Sequence, residues 1–600
     1  MISANDQHVG RVKRPRPRWR PLTARRRAII LTGPYSFCND AVLRSSPHSI
    51  AAILISRLKH YSRVGPLLLG VDLGTTSAKA ALFEVESGRI AAYASREYPT
   101  YYPKPGWAEQ DARDWWETIC LVIREALSKA RVDPSSILGV GVSSHREAVA
   151  LVDKAGRVLD RVIIWMDKRS TPQAEWVREN LDVNELYRRT GLIVDPTFTA
   201  TKLMWLRENR PEILRRARWA LQPKDYIVYK LTGRAITDYS VASRTMLFDI
   251  RTLEWADDLF EDMGLAEYRS LFPDPVYSDE VVGEVTGDAA QETGLAPGTP
   301  VVAGGGDRGC EVLGAGVLDS RRVEESTGTG STTATTVDEP LVDPLMRVVT
   351  TVHVIRGKWS VEAGMATGGA ILRWFRDQFA QGEAMLAKLS RRRAYEFLDM
   401  EAEYIPPGSN GLIVLPFFAG ARAPRWNPKA KGAIFGLTVY HTRAHVFRAL
   451  MEGVAYEIRK ILEVLEELGV RCEELRLLGG GGKTPTWARI KADITGRRVA
   501  ILEFLDAALV GDAILAGIGV KVLKNYEEGV RRFVRVRQVI WPDPARRRVY
   551  DSYYKLYERL ASILEQFYEE IDKLVEQPVR EVPWDINRLI HLLFKLEESN

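Results

Sequence analysis

The sequence predicts an α/β fold with two related domains and a ligand cleft between them. Apolar runs typical of buried strands alternate with segments of helical periodicity over most of the 600 residues. A chain of this length also exceeds what a single hydrophobic core usually holds. A turn rich in glycine and threonine, set between apolar runs, occurs at 72–77 and again at 324–333. This recurrence favours a duplicated domain over one long domain.

Composition and pattern divide the chain into four segments. Residues 1–65 form a basic N-terminal extension that we expect to be disordered or absent from the native protein. The N-terminal domain is predicted at 66–316 and the C-terminal domain at 317–545. A final helix and an uninformative tail occupy 546–600.

The charge distribution limits the classes of partner. Residues 1–66 carry 13 Lys or Arg and two acidic residues, so the net charge of +6 lies in the extension and the rest is mildly acidic. We therefore expect no nucleic-acid partner for the folded body. The apolar runs of the extension are shorter than the roughly 20 residues that span a bilayer, so no membrane association is expected. Four widely separated cysteines predict neither a disulfide framework nor a zinc site, and they favour a cytoplasmic location.

The predicted elements follow the two halves in order. In the first half, strands are predicted at 66–72, 80–85, 137–142 and 148–152, with a helix at 114–130. In the second half, helices are predicted at 443–468, 487–495 and 550–573, with a strand at 475–478.

Three glycine-containing motifs have the chemistry of a nucleotide site. The run Asp72-Leu-Gly-Thr-Thr-Ser77 offers close backbone approach and hydroxyl donors for a phosphate, and Asp72 could hold a magnesium ion through water. The run Thr327-Gly-Thr-Gly330 repeats this pattern. The run Gly479-Gly-Gly-Gly-Lys-Thr484 follows a predicted strand and fits a flat adenosine ring lying on bare backbone. It is not a P-loop, because Leu477 stands where that motif needs glycine. Each run alone could be an ordinary loop.

Two further motifs fit an acceptor site. Asp307 follows an apolar strand and three glycines, which suits an acid that takes the proton of a hydroxyl during phosphoryl transfer, although such an Asp is also a common turn residue. The runs Ser144-His-Arg-Glu147 and Trp165-Met-Asp-Lys-Arg169 combine charged groups with an indole. They could bind several hydroxyls or form an internal set of salt bridges, and the residues alone leave both open.

In their order along the chain, these motifs resemble the FGGY family of carbohydrate kinases, members of the actin/hexokinase/Hsp70 superfamily. The resemblance covers residues 67–570, and its most specific stretch, 432–456, begins Gly432-Ala-Ile-Phe-Gly-Leu-Thr. It implies two actin-like (ribonuclease H-like) α/β domains hinged about a cleft that holds ATP and Mg²⁺. Relatives often pair, so a homodimer is an open option.

The resemblance also implies a role for individual residues. Asp307 would be the catalytic base, and Asp72 and Asp307 would be the metal-associated acids. The nucleotide would contact Asp72, Gly74, Thr75, Thr76, Ser77, Lys79, Gly328, Thr329, Gly369, Gly480, Gly481 and Gly482. The acceptor would contact Arg146, Glu147, Trp165, Asp167 and Arg308.

The markers for the acceptor disagree. The run Gly106-Trp-Ala-Glu-Gln-Asp111 resembles xylulose kinases, whereas Arg146-Glu147 resembles glycerol kinases. Thr197 and Thr332 occupy the places of two aromatic residues that enclose the substrate of glycerol kinases. The resulting prediction is a ketopentose kinase that converts D-xylulose to D-xylulose 5-phosphate. The alternatives are glycerol or another polyol as acceptor, and an inactive relative that senses sugar and ATP.

Overall fold

The computed structural model describes residues 65–575. The predictions for the N-terminal extension and for the tail beyond residue 575 lie outside the described residues.

The first sheet is built from strands in the first half of the chain. Its central strand, Leu67–Leu73, is buried along its whole length and apolar except for Asp72, as expected for a strand covered on both faces. The order across the sheet is β5-β6-β4-β1-β2-β3, with the short β7 also pairing with β4. The strands are β1 (Leu67–Leu73), β2 (Ser77–Glu84), β3 (Ile90–Glu97), β4 (Ile137–Ser144), β5 (Val281–Glu284), β6 (Pro300–Val302) and β7 (Gly305–Gly306).

The second sheet is built from strands in the second half. Its order is β10-β11-β9-β8-β12-β13-β14. The strands are β8 (Arg322–Thr327), β9 (Ser331–Val337), β10 (Val349–Val352), β11 (Trp359–Met365), β12 (Glu474–Gly479), β13 (Arg498–Leu502) and β14 (Val536–Ile540).

The two sheets have the same topology. In the first, β1 pairs antiparallel with β2 and β2 with β3, while β4 and β6 continue in parallel and β5 closes the edge antiparallel. In the second, β8, β9, β11, β12, β13 and β14 repeat these relationships in the same order, and β10 adds one further edge. The predicted duplication of an α/β domain is therefore confirmed, since each Gly/Thr turn joins the first two strands of its sheet.

Helices cover the sheets and build the subdomains around them. The first half contains α1 (Ala112–Ala130), α2 (Thr171–Asn180), α3 (Val183–Thr190), α4 (Thr199–Asn209), α5 (Pro211–Arg216), α6 (Pro223–Thr232), α7 (Tyr239–Ala242), α8 (Asp257–Asp262), α9 (Gly287–Thr293) and α10 (Asp307–Gly314). The second half contains α11 (Gly369–Phe379), α12 (Gln381–Ser390), α13 (Ala394–Glu403), α14 (Arg443–Glu467), α15 (Pro485–Thr495), α16 (Ala507–Gly519), α17 (Tyr526–Phe533), α18 (Pro544–Glu565) and α19 (Tyr568–Val575).

Helix α16 ties the two halves together. It follows β13 in the chain, yet it packs on the first sheet at two glycines. A Cβ on Gly70 would lie 2.4 Å from the carbonyl oxygen of Leu509, and one on Gly141 would lie 2.1 Å from that of Asp512. These glycines allow the helix backbone to approach strands β1 and β4 more closely than any side chain would permit.

Most predicted elements agree with the structure to within a few residues. The final helix is the exception, because α18 begins at Pro544, six residues before the predicted start. Asp543 caps that helix by accepting from the backbone N–H groups of Ala545 and Arg546. The predicted single helix is also interrupted between Glu565 and Tyr568. Within residues 65–575, no helix combines the length and apolar character needed to cross a membrane.

Candidate active site

Asp307 lies where the first sheet ends and α10 begins. The preceding β7 pairs with the end of β4. Gly304 has a φ of +70°, and a Cβ on this residue would lie 1.9 Å from the carbonyl oxygen of Val142. Glycine is therefore required for the turn that presents Asp307. The carboxylate accepts a hydrogen bond from the backbone N–H of Arg308 at 2.7 Å and retains 27% exposure of its side chain.

The electrostatic setting of Asp307 suits a proton acceptor. Burial raises its pKa from 3.8 to about 7, although the nearby guanidinium of Arg146 opposes the rise. The Nε of Arg146 lies 3.4 Å from Oδ1 of Asp307. A carboxylate with a pKa near neutrality can both accept a proton and release it at physiological pH.

A cavity of about 200 Å³ opens beside Asp307. Four of the five predicted acceptor contacts line it, together with the two threonines singled out in the sequence. These residues are Arg146, Glu147, Trp165, Arg308, Thr197 and Thr332. His145, Phe198, Arg244, Glu362, Arg422 and Trp426 complete much of the remaining wall.

Asp167 does not line this cavity. Its side chain is buried and accepts from the backbone N–H of Ala108 at 2.6 Å and from Arg169 at 2.8 and 2.9 Å. Arg169 also donates to Glu109 at 2.8 Å. The first charged run therefore fits hydroxyl binding, because Arg146 and Glu147 face the cavity. The second run fits the other interpretation, because Asp167 and Arg169 form an internal set of salt bridges.

Arg146 is shared among three carboxylates. Its two terminal nitrogens donate to the two oxygens of Glu362 at 2.8 and 3.0 Å, and its Nε lies 3.7 Å from Glu147 in addition to its contact with Asp307. Glu147 has a φ of +65°, and its carboxylate accepts from Nε of Arg244 at 2.6 Å. Burial raises the pKa of Glu147, but Arg244 and Arg146 outweigh burial and lower it below its ordinary value. Glu147 therefore stays anionic on the cavity wall.

The first Gly/Thr turn forms the edge of a larger cavity. Asp72 is buried at the end of β1, and Lys79 lies 3.5 Å from its Oδ2 and 2.9 Å from Asp506. Burial raises the pKa of Asp72, while Lys79 opposes the rise. Thr75 and Thr76 line a cavity of about 1130 Å³ together with Gly328 and Thr329 of the second turn. Both turns thus face one space, which also includes Trp165 and Arg308.

A cavity of about 950 Å³ continues along the second sheet. Four of the predicted nucleotide residues line it: Gly328, Thr329, Gly369 and Gly480. Gly480 begins the short 3₁₀ turn Gly480–Lys483 after β12, whereas Gly481 and Gly482 are buried behind it. A Cβ on Gly481 would lie 2.8 Å from Nζ of Lys491 and from Oγ1 of Thr327. Gly480 is therefore the exposed residue of this glycine run. Gly481 and Gly482 allow the run to pack closely against the residues behind it.

The acidic residues suit a magnesium ion bound mainly through phosphates. Within the described part of the chain, no group of three or more His, Cys, Asp or Glu side chains is arranged to hold a metal. Mg²⁺ in phosphate-transferring sites commonly takes one or two carboxylates and fills its other positions with water and phosphate oxygens. The carboxylates of Asp72 and Asp307 supply donors of this type.

The fold and site define a class of protein. Two sheets of one topology, two Gly/Thr turns facing a single cavity, and an acid beside a smaller polar cavity are those of a phosphotransferase with an alcohol group as acceptor. The chain belongs to the FGGY family of carbohydrate kinases. Residues 67–314 match the N-terminal domain of this family and residues 325–520 match its C-terminal domain.

The similar proteins include both xylulose kinases and glycerol kinases. The chain is 30% identical over 493 residues to a xylulose kinase of Bacillus subtilis, covering 82% of this chain and 96% of the relative. It is 32% identical over 501 residues to a glycerol kinase of Thermococcus gammatolerans, covering 82% and 97%. The crystal structure of xylulose kinase from Rhodospirillum rubrum aligns with a TM-score of 0.76 at 30% identity, covering 84% of this chain and all of that chain.

The charged residues of the site that the sequence predictions missed include Glu362, Arg244 and Asp506. Glu362 and Arg244 line the acceptor cavity, and Asp506 contacts Lys79. The only signal for Glu362 is an acid within an otherwise apolar or small strand, Ser360-Val-Glu-Ala-Gly364. Arg244 and Asp506 carry no comparable signal, because each reaches the site through folding of segments far apart in the chain.

Proposed function

We propose that the protein is an ATP-dependent kinase for a ketopentose, converting D-xylulose to D-xylulose 5-phosphate with Asp307 as general base. The observation that carries the proposal is the convergence of Asp307, Arg146, Glu147, Trp165 and Arg308 on one polar cavity. That cavity adjoins the space faced by both Gly/Thr turns, since Thr75, Trp165, Thr197, Arg308 and Thr332 also line the larger cavity. An acceptor hydroxyl and a terminal phosphate can therefore meet beside Asp307.

In this mechanism the chain contributes positioning and one proton transfer. Glu147 and the guanidinium of Arg146 bind hydroxyls through charge-assisted hydrogen bonds, which orients the sugar. The indole of Trp165 covers its carbon face, and its Nε1 donates to Oγ1 of Thr75 at 3.0 Å, which links the acceptor wall to the phosphate turn. Asp307 accepts the proton of the reacting hydroxyl as the hydroxyl oxygen attacks the terminal phosphorus of ATP, and the bond between that phosphorus and ADP breaks, so that ADP leaves. Arg308 adds positive charge beside the same centre.

ATP would lie along the two larger cavities, with its phosphates at the Gly/Thr turns and its adenosine on Gly480. Asp72 and Asp307 would hold Mg²⁺, which when bound neutralises charge on the phosphate oxygens. Lys79 remains close to this position through its ion pairs with Asp72 and Asp506. Closure of the two halves on the substrates excludes water and limits the hydrolysis of ATP.

Thr197 and Thr332 support a ketopentose over glycerol. Both line the cavity of about 200 Å³ beside Asp307, which is the proposed acceptor cavity. A threonine there leaves more room than an aromatic ring and offers a hydroxyl for hydrogen bonding. A five-carbon substrate has more hydroxyls for such a wall than glycerol has. Glycerol remains the second candidate, because the Arg146–Glu147 pair faces the same cavity and a glycerol kinase is among the relatives.

The direct test is ATP-dependent release of ADP by the purified protein with D-xylulose, D-ribulose, L-ribulose, glycerol and erythritol in parallel. The highest kcat/KM is expected with D-xylulose. A clear preference for glycerol would make the protein a glycerol kinase and would show that the Arg146–Glu147 pair determines the acceptor. Absence of turnover with every acceptor, combined with retained ATP binding, would favour the sensor over the kinase.

A further inference from the structure

Glu362 occupies an unusual position relative to the acceptor site. It belongs to β11 of the second sheet, whereas most acceptor contacts come from segments of the first half of the chain. Its side chain is only 8% exposed and receives both terminal nitrogens of Arg146. The Nη1 of Arg244 lies 3.9 Å from its second oxygen. The Arg146–Glu362 pair therefore spans the two halves.

The geometry of this pair determines what Arg146 can do. An arginine held in bidentate fashion by one carboxylate has its planar guanidinium fixed in orientation. The remaining Nε of Arg146 then points toward Asp307 at 3.4 Å and toward Glu147 at 3.7 Å. If Glu362 were neutral, the terminal nitrogens of Arg146 would be free to pair with Asp307 instead. Such a pair would block the carboxylate that must receive the hydroxyl proton.

Stability alone gives little reason for this ion pair. Desolvation of two buried charges offsets much of their attraction, so buried pairs are weak evidence for a stabilising role. The second half of the chain supplies a comparison in Glu452 of helix α14, which is buried and accepts from Arg448 at 2.8 Å, Tyr550 at 2.9 Å and Ser409 at 2.9 Å. Glu452 is not among the residues lining the acceptor cavity.

We propose that Glu362 is a positioning residue that acts through Arg146: it holds the two terminal nitrogens of the guanidinium away from Asp307, leaves only Nε beside that carboxylate, and completes the acceptor site only when the two halves are together. This inference rests on the proposed role of Asp307 as base. It predicts that binding of ATP is independent of Glu362, since Glu362 lines neither of the two larger cavities along which ATP is proposed to lie. It also predicts that acceptor turnover depends on Glu362 only while Arg146 is present.

The test is a double-mutant cycle in the full-length protein with Glu362→Gln, Arg146→Met and the combined variant. The Glu362→Gln variant is expected to lose about 10- to 100-fold in kcat, as for other misplacements of a catalytic geometry, with KM for ATP changed less than about twofold. In the Arg146→Met background, Glu362→Gln should cost less than about threefold further. The control Glu452→Gln should lower the thermal midpoint without this loss of kcat.

The outcomes separate the inference from the proposed function. Losses that multiply in the combined variant would overturn the inference, because Glu362 would then act independently of Arg146. Unchanged kcat in Glu362→Gln would overturn it as well. The role of Asp307 is tested separately by Asp307→Asn. If that variant is active, Asp307 is not the general base, whatever the result of the double-mutant cycle.

Discussion

Replacement of Asp307 by asparagine should produce an enzyme that is nearly inactive and yet more stable at alkaline pH. Asparagine keeps the size of the side chain and can still accept from the backbone N–H of Arg308. It cannot take a proton from the acceptor hydroxyl. Loss of a general base typically costs 10²- to 10⁴-fold in rate, so kcat should fall by about this factor while ATP binding is retained.

The stability gain follows from the cost of keeping Asp307 charged. Burial raises its pKa from 3.8 to about 7, and one unit corresponds to about 1.4 kcal/mol, so the full shift corresponds to about 4 kcal/mol. The side chain is 27% exposed, and solvent screening reduces this value to about 1–3 kcal/mol. Because the folded state binds the proton more tightly than the unfolded state, the wild-type protein loses stability as pH rises from about 4 to 7. The variant avoids this loss.

The assay combines steady-state kinetics with thermal unfolding at several pH values. The thermal midpoint of Asp307→Asn should exceed that of the wild type by a few degrees at pH 8, and the difference should vanish near pH 4. Binding of ATP, followed by calorimetry, serves as the control for an intact nucleotide site. A variant that retains kcat, or one that is less stable than the wild type at pH 8, would refute the reasoning about Asp307.

Three further predictions address the pH dependence, the nucleotide site and the acceptor cavity. The kcat/KM of the wild type, which reports groups of the free enzyme, should fall as the pH drops below about 7, because Asp307 must be deprotonated to act as base; a flat profile of kcat/KM between pH 5.5 and 8 would contradict this. Gly369→Ala should raise KM for ATP at least fivefold, since the new Cβ would lie 2.4 Å from the carbonyl oxygen of Gly328, whereas Gly382→Ala, with no heavy atom within 4 Å, should leave KM unchanged. The combined variant Thr197→Tyr and Thr332→Phe should narrow the acceptor cavity and lower kcat/KM for the ketopentose at least tenfold more than for glycerol; equal losses would show that these positions do not select the acceptor.

The order of motifs predicted the fold because each motif depends on local chemistry. The two Gly/Thr turns join antiparallel strands in both sheets, and the long helix at 443–468 was predicted to within one residue of its observed end. Amphipathic periodicity and turn residues act over a few positions, so they are visible in the chain itself. The final helix was placed less well, since its start depends on the capping residue Asp543 outside the apolar pattern.

The site was only partly predictable, for a physical reason. The sequence by itself identified an acid after three glycines, two Gly/Thr turns, and the Arg146–Glu147 pair, because these combine unusual residues within short runs. Only the tertiary structure decided that Asp167 belongs to an internal ion-pair set and that Gly481 and Gly482 are buried behind Gly480. It also decided that Glu362, from the other sheet, holds Arg146. The Arg146–Glu362 contact joins residues 216 positions apart and depends on the packing of one half of the chain against the other. The Asp167 set depends on contacts with Ala108 and, through Arg169, with Glu109, about 60 positions away. No local pattern encodes either arrangement.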